Sequence, residues 1–108
     1  MEILAKVRLS ISGLQGEWYA ETGRREYEVR FDSKVLIKTR LRRKVDDLDE
    51  IKNHLYDKIR KNANKMIPPG FNQYEIDERL EIDILKIWEI LPSGEHIRLD
   101  EPPLFELP

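Results

Sequence analysis

One amphipathic stripe constrains this chain more than any other feature. Leu48, Ile51, Leu55 and Ile59 recur at spacings of three, four and four, and Ala63 and Met66 extend the row. That period belongs to a helix with a single apolar face. Asp47 stands before it as an N-cap with Glu50 three residues on, the pattern of a capping box. Acidic residues crowd the first turn, while Lys58, Arg60, Lys61 and Lys65 crowd the last ones, an order that complements the helix dipole. Pro68-Pro69-Gly70 forbids continuation, so the helix spans about 47–65. No second stripe of this kind is legible, and one helix can cover only one face of a sheet.

The rest of the chain reads with period two. Ile3, Ala5, Val7, Leu9 and Ile11 share one face of a strand and Lys6, Arg8 and Ser10 the other. Gly13-Leu14-Gln15-Gly16 reads as a turn, followed by a second strand around Trp18 and Tyr19. A phosphate-binding loop is not expected there, because no helix follows to supply N–H groups. Asp32-Ser33-Lys34 reads as the turn of a hairpin in which Phe31 meets Val35, Val29 meets Ile37 and Tyr27 meets Thr39. On the outer face Glu28 then meets Lys38 and Glu26 meets Arg40. After the helix, residues 80–91 alternate again, and Pro92-Ser93-Gly94-Glu95 turns into a short return strand with Ile97 and Leu99.

These elements define an α+β fold: a mainly antiparallel sheet of four to five strands, in the order β-β-β-α-β-β, with one helix packed on one face. A length of 108 residues suits a single domain. Its parts are strands and hairpin over 1–44, the helix over 46–66, strands over 74–100 and a Pro-rich tail over 101–108.

Strict alternation after Leu80 has a consequence. Leu80, Ile82, Ile84, Trp88 and Ile90 fall on one face, and Leu85, Ile87 and Leu91 on the other. Both sides of the strand are then apolar, and the second side needs a cover. The expected cover is the tail with Leu104, Phe105 and Leu107, or a second copy of the chain or another protein. Leu85, Ile87, Leu91, Leu104, Phe105 and Leu107 are thus the candidate interface, and a non-catalytic, self-associating interaction module is the leading expectation.

Charge supplies the alternative. Residues 1–72 carry 16 basic and 11 acidic side chains (net +5), and residues 73–108 carry 3 basic and 10 acidic ones (net −7), which gives the overall −2. Lys34, Lys38, Arg40, Arg42 and Lys44 lie at outward positions of the strand over 34–44, broken only by Leu36. Arg40, Arg42, Arg43 and Lys44, with Lys58, Lys61 and Lys65 of the helix end, form a candidate RNA- or DNA-binding set. Three features oppose it: Glu26 and Glu28 neutralise the stripe in the expected register, the net charge is negative with a pI near 5.7, and no aromatic residue sits on its outward face to stack bases.

Other chemistry is weakly represented. No Cys occurs, and His54 and His96 do not form a helical ligand pair, so neither a metal site nor a cofactor is expected. Glu81 and Asp83 share one face of a strand, which could hold a divalent ion, but alternation alone explains both and Lys86 points to the opposite face. No nucleophile motif surrounds any serine, and no catalytic residue is named. No apolar run exceeds three residues, so no membrane span or signal core is expected and a cytoplasmic protein is the default. A charged fraction of 37% without cysteine resembles thermophile usage.

Overall fold

The computed structural model describes residues 1–19 and 23–101, without the side chains of 14–19 and 23–29. Its core begins with the alternation of the first strand, which continues well past Ile11. Strand β1 runs Glu2–Tyr19 and β2 runs Gly23–Arg40. The two pair antiparallel in unbroken register from Glu2 opposite Arg40 to Tyr19 opposite Gly23.

The turns expected at Gly13–Gly16 and Asp32–Lys34 therefore lie inside strands. Gly13 and Gly16 oppose Val29 and Glu26, and Ser33 opposes Leu9. Phe31 pairs with Ile11 and Val35 with Val7, not with each other. The order before the helix is two long strands instead of three shorter ones. The physical reason is that Asp-Ser-Lys permits a turn without requiring one. The row Ile3 to Ile11 offers partners to the whole apolar face from Phe31 to Thr39, so tertiary pairing overrides the local preference.

Helix α1 spans Leu48–Met66, one residue from its expected bounds at each end. Asp47 caps it, accepting from the Asp49 N–H at 2.9 Å. Glu50 does not close a capping box; it takes Arg43 of the preceding loop at 2.5 Å. Ile51, Leu55, Ile59 and Ala63 are buried as the stripe requires. The Ile67 N–H bonds Ala63 O at 3.0 Å, and Pro68 follows.

A second helix, α2 (Gln73–Arg79), replaces the strand expected to begin at 74. Asn72 and Glu75 form a reciprocal cap: Asn72 Oδ1 accepts from the Glu75 N–H at 2.8 Å, and Glu75 Oε1 accepts from the Asn72 N–H at 3.2 Å. Strands β3 (Glu81–Ile90) and β4 (His96–Arg98) complete a four-stranded antiparallel sheet in the order β2-β1-β3-β4. The turn between them needs Gly94, whose φ of 90° disfavours side chains.

Both helices lie on one face of this sheet. Ile51, Leu55, Ile59, Ala63 and Ile76 form one buried cluster with Ile3, Ala5, Val7, Leu9, Ile11 and Ile37. The α+β class is thus as expected, with two helices on the covered face.

Strand β3 joins the cluster by a device that alternation conceals. Lys6 pairs with Lys86, but Val7 pairs with Ile84, so Leu85 is an extra residue in the ladder, a β-bulge. One inserted residue reverses the faces beyond it. Ile82 and Ile84 face the helices before the bulge and Ile87, 0% exposed, faces them after it. Leu85, Ile87 and Leu91 therefore do not form a second apolar face: the strand has one core side with a change of phase.

Candidate nucleic-acid interface

The same bulge decides what the other side of the sheet presents. Directly opposed residues share a face, so three rows cross it. One row is Lys38, Leu4, Trp88 and Arg98; its neighbours are Leu36, Lys6 and Lys86, and Arg40, Glu2, Ile90 and His96. Farther along β1 and β2 lie Arg8, Lys34, Arg30 and Asp32, opposite Glu81 and Asp83 of β3. No described helix covers this face. Leu36 is 66% exposed, and Lys34, Lys38, Arg40 and Lys86 are exposed beside it.

Trp88 is the residue whose position the sequence conceals. Alternation from Leu80 assigns it to the helix-covered side, and the bulge turns it to the open one. The guanidinium of Arg98 lies 5.7 Å from its ring centroid, a cation–π contact. Arg98 is itself held by Asp100, with a second contact from Nη2 to Oδ2 at 3.4 Å. Asp100 also accepts from the Ile87 N–H at 3.0 Å. Burial alone pushes the Asp100 carboxyl up, but the bonds from Arg98 and Ile87 outweigh it and hold the group below the usual carboxylate range. The same hydrogen bond raises Arg98 above its ordinary value. Asp100 thus holds the Arg98 guanidinium against the Trp88 ring.

Ion pairs on this face differ from those expected. Glu26 and Glu28 lie on the same strand as Lys38 and Arg40 and cannot face them. Glu2 serves both cations instead, at 3.8 Å from Lys38 and 3.1 Å from Arg40. Arg8 pairs with Asp32, which lowers the Asp32 carboxyl and raises the Arg8 guanidinium, in each case mainly through their hydrogen bond. Lys6, Lys34 and Lys86 have no carboxylate within ion-pair distance among the described residues. Exposed pairs are weak and yield readily to a competing anion.

The other candidate cations divide. Arg40, Lys58 and Lys61 meet at a groove of about 390 Å³ beside the edge of β2, with Thr39, His54, Asp57 and Asn62. There Lys58 Nζ donates to Lys38 O at 2.9 Å, and His54 Nε2 lies 3.1 Å from Thr39 Oγ1. Strand β2 ends at Arg40, so Arg42, Arg43 and Lys44 do not continue the stripe. Arg43 is taken by Glu50, Lys44 lies 3.9 Å from Glu89, and Arg42 and Lys65 are exposed elsewhere.

Of the candidate interface residues, Ile87 is core, Leu85 is the bulge residue at 37% exposure, and Leu91 is half-buried at the end of β3. Leu104, Phe105 and Leu107 lie outside the described residues. Glu81 and Asp83 are exposed, and among the described residues no three His, Asp or Glu side chains gather as a metal site. No described helix is long and apolar enough to cross a membrane.

The fold and this surface describe an α+β chain with an open, cationic, tryptophan-bearing sheet face. Comparison with protein-family models, with curated proteins and with solved structures finds no match to the chain.

Proposed function

We propose that this protein binds single-stranded nucleic acid on the open face of its sheet. The observation that carries the reading is Trp88 among Lys6, Lys38, Lys86 and Arg98 on a face that no described helix covers. A basic surface attracts the phosphates, and a ring stacks a base whatever its identity. Two of the three features that oppose this reading in the sequence are altered: the aromatic residue is present on the face, and one carboxylate, Glu2, is shared between two cations where two were expected, while the net charge of −2 stands. A broad sheet face fits unpaired bases better than a duplex groove, which admits a helix or a two-stranded ribbon.

Fluorescence polarisation of labelled twelve-nucleotide RNA and DNA of mixed sequence tests it. Binding at low salt is expected, with log K falling linearly against log salt. Trp88→Ala is expected to weaken it by about 1–3 kcal/mol while the fold persists, the range for one stacked base. No change in polarisation with either polymer at the lowest salt would remove the proposal.

A second reading, self-association, rests on a different observation: β2 is a long edge strand, with β1 as its only strand partner among the described residues. Light scattering that gives a monomer mass at high micromolar concentration would dispose of it.

A further inference from the structure

The open face ends at a cavity of about 720 Å³, bounded by Glu2, Arg40, Lys44, Glu89 and the turn from Ile90 to Gly94. That volume lies in the range of sites that enclose a small molecule or a single nucleotide. Its walls differ in chemistry. Ile90, Leu91 and Pro92 supply apolar surface, while Arg40 and Lys44 are exposed cations at its rim. Because Glu2 and Ile90 oppose each other on the open face, the cavity continues the row next to Trp88.

Glu89 is the unusual member. The bulge turns it to the covered side of the sheet, where its side chain is only 14% exposed. Its one charged neighbour, Lys44 Nζ, stands 3.9 Å away, beyond hydrogen-bond distance. No described donor approaches it more closely. No buried side-chain oxygen among the described residues lacks a partner, so the unbonded Glu89 oxygens keep contact with solvent and are open to a donor. The neighbouring Glu2 is committed to Lys38 and Arg40, so Glu89 is the carboxylate in this cavity available to a ligand.

Resting on the nucleic-acid reading above, we infer that this cavity seats one guanine of the bound strand, with Glu89 accepting from its ring N1–H and its 2-amino group and Arg40 and Lys44 meeting the adjoining phosphates. An ionised carboxylate only accepts, so it selects a base that presents two donors side by side. Guanine offers two adjacent donors that match the two carboxylate oxygens. Adenine and cytosine place an acceptor nitrogen beside their amino group, and uracil flanks its one N–H with two carbonyls; each would set a lone pair against Glu89. The apolar surface of Ile90, Leu91 and Pro92 suits the faces and far edge of the ring.

The test uses seven-nucleotide oligouridines with a central guanosine, inosine or adenosine, beside oligouridine itself, with binding followed by fluorescence polarisation. Inosine keeps N1–H and lacks the 2-amino group. A hydrogen bond to a charged acceptor makes the guanosine oligomer roughly ten- to a hundredfold tighter than the inosine one. Glu89→Gln, whose amide presents its own donors, is expected to close that gap, with a melting curve recorded to show that the variant folds. The wild-type comparison stands without the variant. Equal salt-dependent affinity for all four oligomers, or a preference for adenosine, overturns the guanine site and leaves the nucleic-acid reading in place. Binding to none of them overturns both.

Discussion

Gly13 shows how one atom can be excluded by the packing of a distant helix. It lies within β1, where the sequence reading placed a turn, and its φ is not positive; the constraint is space. A Cβ built there would collide with the Glu75 carboxylate and lie 3.3 Å from the Phe71 ring. Glu75 has little room to retreat, being buried and tied to the Asn72 N–H by the cap of α2. Gly13→Ala is therefore expected to destabilise the protein by about 1–3 kcal/mol in urea unfolding, the usual cost of overpacking. Glu75→Ala removes the obstacle together with half of the cap. Combining the two substitutions should cost clearly less than the sum of the single effects, as coupled neighbours do. Strictly additive costs would show that α2 does not rest on Gly13. A glycine that serves close approach looks like a turn glycine in sequence, because the residue that needs the space lies about sixty positions away.

At the scale of elements, α1 and the α+β class were legible, while the long pairing of β1 with β2, helix α2 and the phase of β3 were not. The stripe of α1 and the Asp47 cap are local patterns, and a reader can count them. Asn72 and Glu75 have the spacing of a capping pair, but seven residues with little apolar repetition do not declare a helix, and a strand was expected there. The bulge has a trace in sequence: Ile82 and Ile84 keep period two, and Ile87 then follows at a spacing of three. Reading that step as continued alternation produced two apolar faces, whereas the structure places Ile87 in the core. The bulge is followed by its own fastening, since the Ile87 N–H donates to Asp100 and Ile87 O accepts from the Leu99 N–H at 2.9 Å. This latch has a predictable response to acid. Asp100 is held below its unfolded value of about 3.9, so its contribution is complete above that value and fades as pH falls through the lower, folded one. The Ile87 amide should keep its shift and its exchange protection at pH 5 and lose them only in more acid solution. An Ile87 amide that titrates with a midpoint at or above the ordinary aspartate value would contradict the latch.

The whole molecule is acidic, with a formal net charge of −2, yet the proposed ligand is a polyanion. The two are compatible because binding responds to the potential at the contacting face, where counterions are released, more than to total charge. The shape favours such separation. Extents of 66 × 36 × 21 Å spread the sheet wide, and at the screening lengths of physiological salt, about 8 Å, carboxylates on the far side of the helices act weakly across it. Lys6, Lys34 and Lys86 stand on the open face without carboxylate partners among the described residues, so replacing them leaves no buried or broken pair behind. Lys6→Gln, Lys34→Gln and Lys86→Gln together should change stability little, as surface substitutions do. If each contacts one phosphate, the slope of log K against log salt becomes shallower by about 0.7 for each residue, roughly two units in all. Arg60→Gln on α1 is the control: it changes net charge on the covered side of the sheet and should leave the slope unaltered. Equal effects from Arg60 and from the three lysines would mean that net charge, and not this face, governs association.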